Sequence, residues 1–206
     1  MIPGKKPSRN PAQPRHRGAG AALQGVTLVE LLVAVGIVAL LASLAAPSFA
    51  RLRAGSAVSG HVNTFLADSR FASSEALRRG VSVTMCRSED PEAAFPACAG
   101  AKNPGGWEGG WIIFADEDAN NQRAEGEDLL RVQPAMPDSG GIHRGSGAAY
   151  NQIRYRPNGW AAGATATLRF LPRSAEAQLD PALGRTLCVS IIGRTRALAR
   201  SDAACS

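Results

Sequence analysis

The chain reads as an α+β protein in which one long N-terminal helix, apolar first and amphipathic later, is packed on a mostly antiparallel β-sheet head. Three observations lead there. Residues 26–46 carry one charge in 21 positions and stop at Pro47. Apolar residues then recur at three- and four-residue spacing as far as Gly80. Beyond Gly80 the pattern changes to short runs, some alternating with a period of two, separated by glycine and proline clusters.

The first 24 residues carry Lys5, Lys6, Arg9, Arg15 and Arg17 and no acid, and Pro3, Pro7, Pro11 and Pro14 keep them from forming a helix. Such a basic leader is held in the cytoplasm by the positive-inside bias, which directs the remainder of the chain outward. Residues 26–46 are long enough to cross the hydrocarbon core of a bilayer as a helix. Their one charge, Glu30, costs about 2.5–3.5 kcal/mol on insertion scales, so it requires a partner. A secretory signal peptide is the competing reading, with Ser43-Leu44-Ala45 as a small-residue cleavage site. Its apolar region usually runs about 7–15 residues and carries no glutamate.

After Pro47 the helix is expected to resume, because Val58, Val62, Phe65, Ser69, Ala72 and Ala76 make one stripe, widened by Leu66 and Leu77. Arg78 and Arg79 complement the dipole at its end, and Gly80 reads as the C-terminal cap. Pro47, Gly55 and Gly60 are points where this helix can bend or melt on assembly. Strands are expected over Val81–Cys86, Gly110–Ala115, Leu129–Val132, Ile153–Tyr155, Ala166–Phe170 and Leu187–Ile192, with 100–110 and 137–149 as loops. Trp111 and Phe114 read as core or sheet-face aromatics.

Removing the leader and the apolar helix leaves about 160 residues, enough for one domain to bury its own core. The formal charge of +6 is mostly the leader's; residues 26–206 hold 18 basic and 17 acidic side chains. Charge is segregated along the chain. Residues 87–139 hold 11 acids and 4 bases, whereas residues 140–206 hold 9 arginines, no lysine and 3 acids, which makes the C-terminal third the candidate surface for an anionic partner. Four cysteines lie in the part expected outside the cytoplasm, and an even count there suggests disulfides. Of three connectivities, the reading is Cys86 with Cys98 and Cys188 with Cys205, each closing a short loop of turn formers. Zinc is disfavoured because there is no Cys-x-x-Cys and, outside the leader, only His61 and His143.

Three further patterns are discounted. Asp116-x-Asp118-x-Asn120 with Glu127 imitates a calcium loop, but its sixth position is Asn121 instead of glycine, and it reads as a polar hairpin turn. Asp138-Ser139-Gly140-Gly141 suggests a nucleophile turn, yet His61 sits on the long helix and only His143 is near. Gly145-Ser146-Gly147 lacks the strand and helix of a phosphate loop and reads as a surface turn. No residue set points to an enzyme, a cofactor or a metal.

Gly25 followed by Val26-Thr27-Leu28-Val29-Glu30, an apolar helix and Pro47 resembles the N-terminus of a type IV pilin or pseudopilin precursor. The resemblance implies a cleaved leader (1–25), a transmembrane helix (26–46), its amphipathic continuation (47–79) and a periplasmic head (80–206). It implies cleavage after Gly25 by a prepilin peptidase, N-methylation of Val26 where phenylalanine is usual, and pairing of Glu30 with the amino group of a neighbouring subunit's first residue. In the head, the Cys86 strand with a second cysteine soon after, Gly109-Gly110-Trp111-Ile112-Ile113-Phe114-Ala115-Asp116, and Ile191-Ile192-Gly193-Arg194-Thr195-Arg196 resemble the GspH/FimT group of minor pilins and pseudopilins. The implied partners are other minor and major pilins or pseudopilins and an inner-membrane assembly platform; the implied role is to start or cap a type IV pilus or a type II secretion pseudopilus. Some FimT-type members take part in DNA uptake through a C-terminal Gly-Arg-x-Arg motif, which maps here to Gly193, Arg194 and Arg196. The residues support this independently: in an extended segment Arg194 and Arg196 share a face, about 7 Å apart, a spacing that suits successive phosphates. The alternative is an arginine edge that keeps a terminal strand from pairing with other chains.

Overall fold

The structure, a computed structural model, describes residues 25–100, 105–146, 151–162 and 166–205. The basic leader 1–24 lies outside the described residues, as do parts of both expected loops. The chain divides into two units between Ser43 and Leu44. Of the first, residues 25–43 are exposed throughout; the second holds the head.

The helix α1 spans Leu28–Arg79 and stays helical through Pro47, Gly55 and Gly60. An 18-residue window of it reaches a mean hydropathy of 2.6 with none of its residues buried, so by length and composition it fits a membrane anchor. Farther along, Val58, Val62, Phe65, Ser69, Ala72 and Ala76 are buried, as their spacing predicts. Leu66 packs against this core only in part, and Leu77 departs from the expected stripe, being 57% exposed beside the last turn. Gly80 ends the helix with its N–H donating to Ala76 O at 3.0 Å. In the last turn Arg78 and Arg79 both donate to Glu75, which lowers that carboxyl to about 2.

Two antiparallel sheets complete the head. The first contains β1 (Ser82–Arg87), β2 (Trp111–Asp116), β3 (Leu129–Gln133), β5 (Gln152–Tyr155) and β6 (Ala161–Ala162), ordered β3-β2-β1-β5-β6. The second contains β4 (Ser139–Ser146), β7 (Ala166–Pro172), β8 (Arg185–Val189) and β9 (Thr195–Leu198), ordered β4-β7-β8-β9. The short helix α2 (Ala175–Gln178) links β7 to β8 and is capped by Ser174, whose Oγ accepts the Ala177 N–H at 3.2 Å.

Three expectations are corrected. The stretch 137–149 is not a loop: β4 occupies Ser139–Ser146, so Gly145 and Ser146 belong to a strand, while Gly147 lies outside the described residues. Gly140 is there for close packing, since a Cβ on it would fall 1.8 Å from the Pro172 carbonyl oxygen. The strand expected over Leu187–Ile192 is shifted to Arg185–Val189, with Ile191 and Ile192 on the turn beyond it. Segment 100–110 contributes a 3-10 turn at Trp107–Gly109, and Trp107 enters the core.

One hydrophobic core joins α1 to both sheets. The buried face of α1 meets Val83, Met85, Trp111, Ile113, Ile153 and Tyr155 from the first sheet and Ile142, Leu168, Phe170, Leu187 and Val189 from the second. Phe65 sits at its centre, edge-on to Trp107 and Trp111 at 5.2 Å and to Phe170 at 5.8 Å. The opposite face of the first sheet buries Cys86, Ile112 and Phe114 beneath Cys98. Disulfides join Cys86 to Cys98 and Cys188 to Cys205. Each closes a short loop, a constraint typically worth about 2–4 kcal/mol.

Polar contacts fix α1 on this core. Asp68, almost fully buried, accepts hydrogen bonds from Trp111 Nε1 at 2.8 Å and from Arg131 Nη1 at 2.5 Å, and Arg131 stacks 3.9 Å over the Phe71 ring. Ser69 and Tyr155 share a hydrogen bond of 2.5 Å, and burial pushes the Tyr155 hydroxyl up to about 12. Asp68→Ala leaves the Trp111 N–H without its acceptor and Arg131 without its counter-charge. It is expected to destabilise the head by about 1–3 kcal/mol, read as a lower urea midpoint with an unchanged slope for the full chain in detergent micelles.

Candidate functional site

Two groups of residues carry the functional expectations. At the N-terminal end, Gly25 and Val26 precede the helix in exposed, irregular backbone. Thr27 is the cap: its carbonyl accepts the Leu31 N–H at 3.1 Å and its Oγ1 accepts the Glu30 N–H at 3.2 Å. Thr27-x-x-Glu30 has the sequence form of a capping box, a signal the reading of Glu30 as a lone membrane charge passes over. Glu30 itself is exposed in the first turn, where a carboxylate also complements the helix dipole. Pro47 lies inside α1, and one turn later Arg51 pairs with Asp180 at 2.8 Å, tying the helix to the segment after α2.

At the other end, β8 and β9 form a hairpin with Cys188 opposite Arg196 and Val189 opposite Thr195. Ser190 N–H donates to Arg194 O at 2.9 Å, leaving Ile191, Ile192 and Gly193 as a three-residue loop. Gly193 has φ of +77°, as the last residue of such a loop requires. A Cβ there would also strike the Gly159 carbonyl oxygen at 2.2 Å. The hairpin therefore explains Gly193 without any ligand. Arg194 and Arg196 are exposed, share a parity along the strand, and take part in no ion pair among the described residues. Arg200 differs: Asp202 holds it through two bonds of 2.9 Å.

The discounted patterns resolve individually. Carboxylate oxygens of Asp116, Asp118 and Glu127 lie within 4.8 Å of one another. Each already has a protein partner: Asp116 accepts the Asn121 N–H at 3.2 Å and, across the sheet, the Thr84 hydroxyl at 2.6 Å, Asp118 accepts the Asn120 amide at 2.6 Å, and Glu127 the Ala124 N–H at 2.9 Å. Ser139 Oγ accepts the Gly141 N–H at 3.2 Å and bonds neither histidine among the described residues. His61 Nδ1 is buried without a hydrogen-bond partner among the described residues, and burial lowers the His61 pKa against an opposing pull from Asp138.

A family model described as "Type II transport protein GspH" matches residues 61–193, well over half of the chain. The chain belongs to the GspH family. Its fold is a long N-terminal apolar helix followed by antiparallel sheets. Neither Gly25–Glu30 nor Arg194 and Arg196 falls inside the span matched to GspH. Two crystal structures of the type IV minor pilin FimU from Pseudomonas aeruginosa strain PAO1, in space groups P21 and P65, are similar to this GspH-family chain at 18% identity. They cover 71% and 69% of it and 88% and 90% of their own chains, with TM-scores of 0.46 and 0.45. No match is found among curated proteins.

Two substitutions in the hairpin separate backbone from charge. Gly193→Ala meets both a left-handed backbone and the Gly159 carbonyl, so a loss of more than about 1 kcal/mol is expected. Arg194→Gln removes only a solvated charge and is expected to stay within about 0.5 kcal/mol of the parent; urea denaturation of both variants measures the contrast.

Proposed function

We propose that this GspH-family chain is a minor pilin or pseudopilin, a structural subunit that is anchored in the inner membrane and then incorporated near the end of a type IV pilus or type II secretion pseudopilus. What supports it most is α1: one helix that is wholly exposed and apolar over residues 28–46, save for Glu30, and then becomes a buried core element of the head from Val58. A helix of this kind is stable only where its first half is covered, by lipid before assembly and by neighbouring helices after it. In this reading residues 1–25 are a cytoplasmic leader removed by a prepilin peptidase, Val26 becomes the methylated N-terminus, and an inner-membrane platform delivers the subunit to its filament. The head lies in the periplasm, where Cys86–Cys98 and Cys188–Cys205 form.

The tests come from the chemistry of the ends. Mass spectrometry of the membrane fraction is expected to find Val26 as the N-terminus and to find the leader retained in Gly25→Leu; any other mature N-terminus removes the reading. Glu30→Ala deletes a pairing charge and no apolar anchor, so insertion and cleavage persist while recovery in sheared filaments falls. Normal recovery of that variant sinks the assembly role of Glu30.

A second reading is favoured by Arg194 and Arg196, exposed and free of ion pairs among the described residues. In it the subunit also holds DNA during uptake, through phosphates and without sequence preference. Duplex binding by the wild-type chain is expected to weaken steeply with salt, and Arg194→Gln with Arg196→Gln flattens the log-log salt slope by about 1–2. Equal affinities of wild type and double variant at low salt refute it and leave the arginines as an edge-protecting surface.

A further inference from the structure

Two turns from different sheets meet at the pole where α1 ends. In the β5–β6 turn the Arg156 N–H donates to Trp160 O and the Gly159 N–H to Arg156 O, both at 2.8 Å. Gly159 is the meeting point: its carbonyl accepts the Ser73 hydroxyl at 3.1 Å, a Cβ on it would fall 3.1 Å from Leu77, and Gly193 of the β8–β9 loop packs directly on it. Around this contact are four large apolar side chains in water. Trp160 is 48% exposed, Ile191 54%, Ile192 56% and Leu77 57%. Trp107 and Trp111 are buried core residues, so Trp160 is the one exposed tryptophan among the described residues.

Register places a cation beside that indole. Tyr155 pairs with Ala161, and both face the core. The next pair outward, Arg156 with Trp160, therefore shares the opposite face, where directly opposed side chains are neighbours. Arg156, Arg194 and Arg196 are all exposed, none takes part in an ion pair among the described residues, and residues 156–160 and 190–196 contain no carboxylate. An apolar face of a protein partner would satisfy the isoleucines but leave three guanidiniums without counter-charges. A ligand carrying both flat apolar rings and anions satisfies the whole surface, and a nucleic acid strand is such a ligand. In a duplex the bases are stacked on one another and offer no free face, so the indole gains a contact only from unpaired bases.

We infer that Trp160, with Arg156 opposite it and Arg194 following the glycine that packs on its turn, is a stacking site for single-stranded nucleic acid. This rests on the nucleic-acid reading of Arg194 and Arg196 and adds the state of the strand that is recognised. The arginines hold phosphates in either form, while Trp160 distinguishes the forms. Because the three tryptophans differ in exposure, the ligand also has its own optical signature: a base on Trp160 quenches the emission of the one indole that water already reaches.

The test uses the mature full-length chain in zwitterionic nanodiscs, titrated at low salt with a twelve-residue oligothymidylate and with a twelve-base-pair duplex, read by tryptophan emission and by anisotropy of the labelled probe. Wild type is expected to bind the single strand at least about 5-fold more tightly than the duplex, with quenching from the single strand alone. Trp160→Ala is expected to lose about 5- to 100-fold in single-strand affinity and none in duplex affinity. Trp160→Phe retains most of it, and Arg194→Gln with Arg196→Gln weakens both probes. Single-strand binding by Trp160→Ala equal to wild type, or a wild type that prefers the duplex, overturns the stacking site while the arginine contacts stand. Failure of wild type to bind either probe overturns the nucleic-acid reading and this inference together, and leaves the patch as a protein-docking surface.

Discussion

One face of α1, from Val58 to Ala76, is the constraint on which the head depends. The two sheets share no strand, and each would expose its inner face if the other parts were removed. The helix fills the space between them, and Phe65 touches aromatic rings from β2, from the 3-10 turn before it and from β7. At about 25 cal/mol per Å² of apolar surface removed from water, this shared face outweighs any single polar contact in the molecule. The head cannot be understood as a sheet domain with a helix attached; the helix is the middle of its core.

Burial alone would leave α1 free to slide or rotate, because apolar contact is not directional. Asp68 supplies direction. A carboxylate in the core is costly unless its oxygens are met, and here one meets the indole N–H of Trp111 and the other the guanidinium of Arg131, on neighbouring strands β2 and β3. The Ser69–Tyr155 bond does the same toward β5. A one-residue shift of the helix breaks both, so register between helix and sheet is set by polar groups and its strength by apolar ones.

Much of this was legible in the sequence. The i, i+3, i+4 pattern identified the buried residues of α1 except Asp68, and alternation in β1 with short runs between glycine and proline clusters placed β1, β2, β3, β5 and β7 to within a residue or two. The rest was hidden for physical reasons. Strand β4 looked like a turn because Gly140 and Gly141 are usually punctuation, whereas Gly140 is small because the Pro172 carbonyl oxygen lies against it. Ile191 and Ile192 extended an apolar run past the end of β8, and only the hairpin geometry shows that they belong to the loop. Asp68 gave a weak signal, one acid on an apolar stripe, and its partners are 43 and 63 residues away. The arginines of the candidate surface were visible as residue types. Trp160 was not, because its neighbours come from a contact between two glycines in different sheets.

The order in which the strands are used has a mechanical meaning. The chain enters the second sheet with β4, returns to the first for β5 and β6, and then goes back for β7 to β9. Neither sheet is a contiguous length of chain, so neither can be pulled away while the other stays intact. Loosening either sheet therefore disturbs strands contributed from both sides of the other in sequence, which ties the two sheets into one cooperative unit.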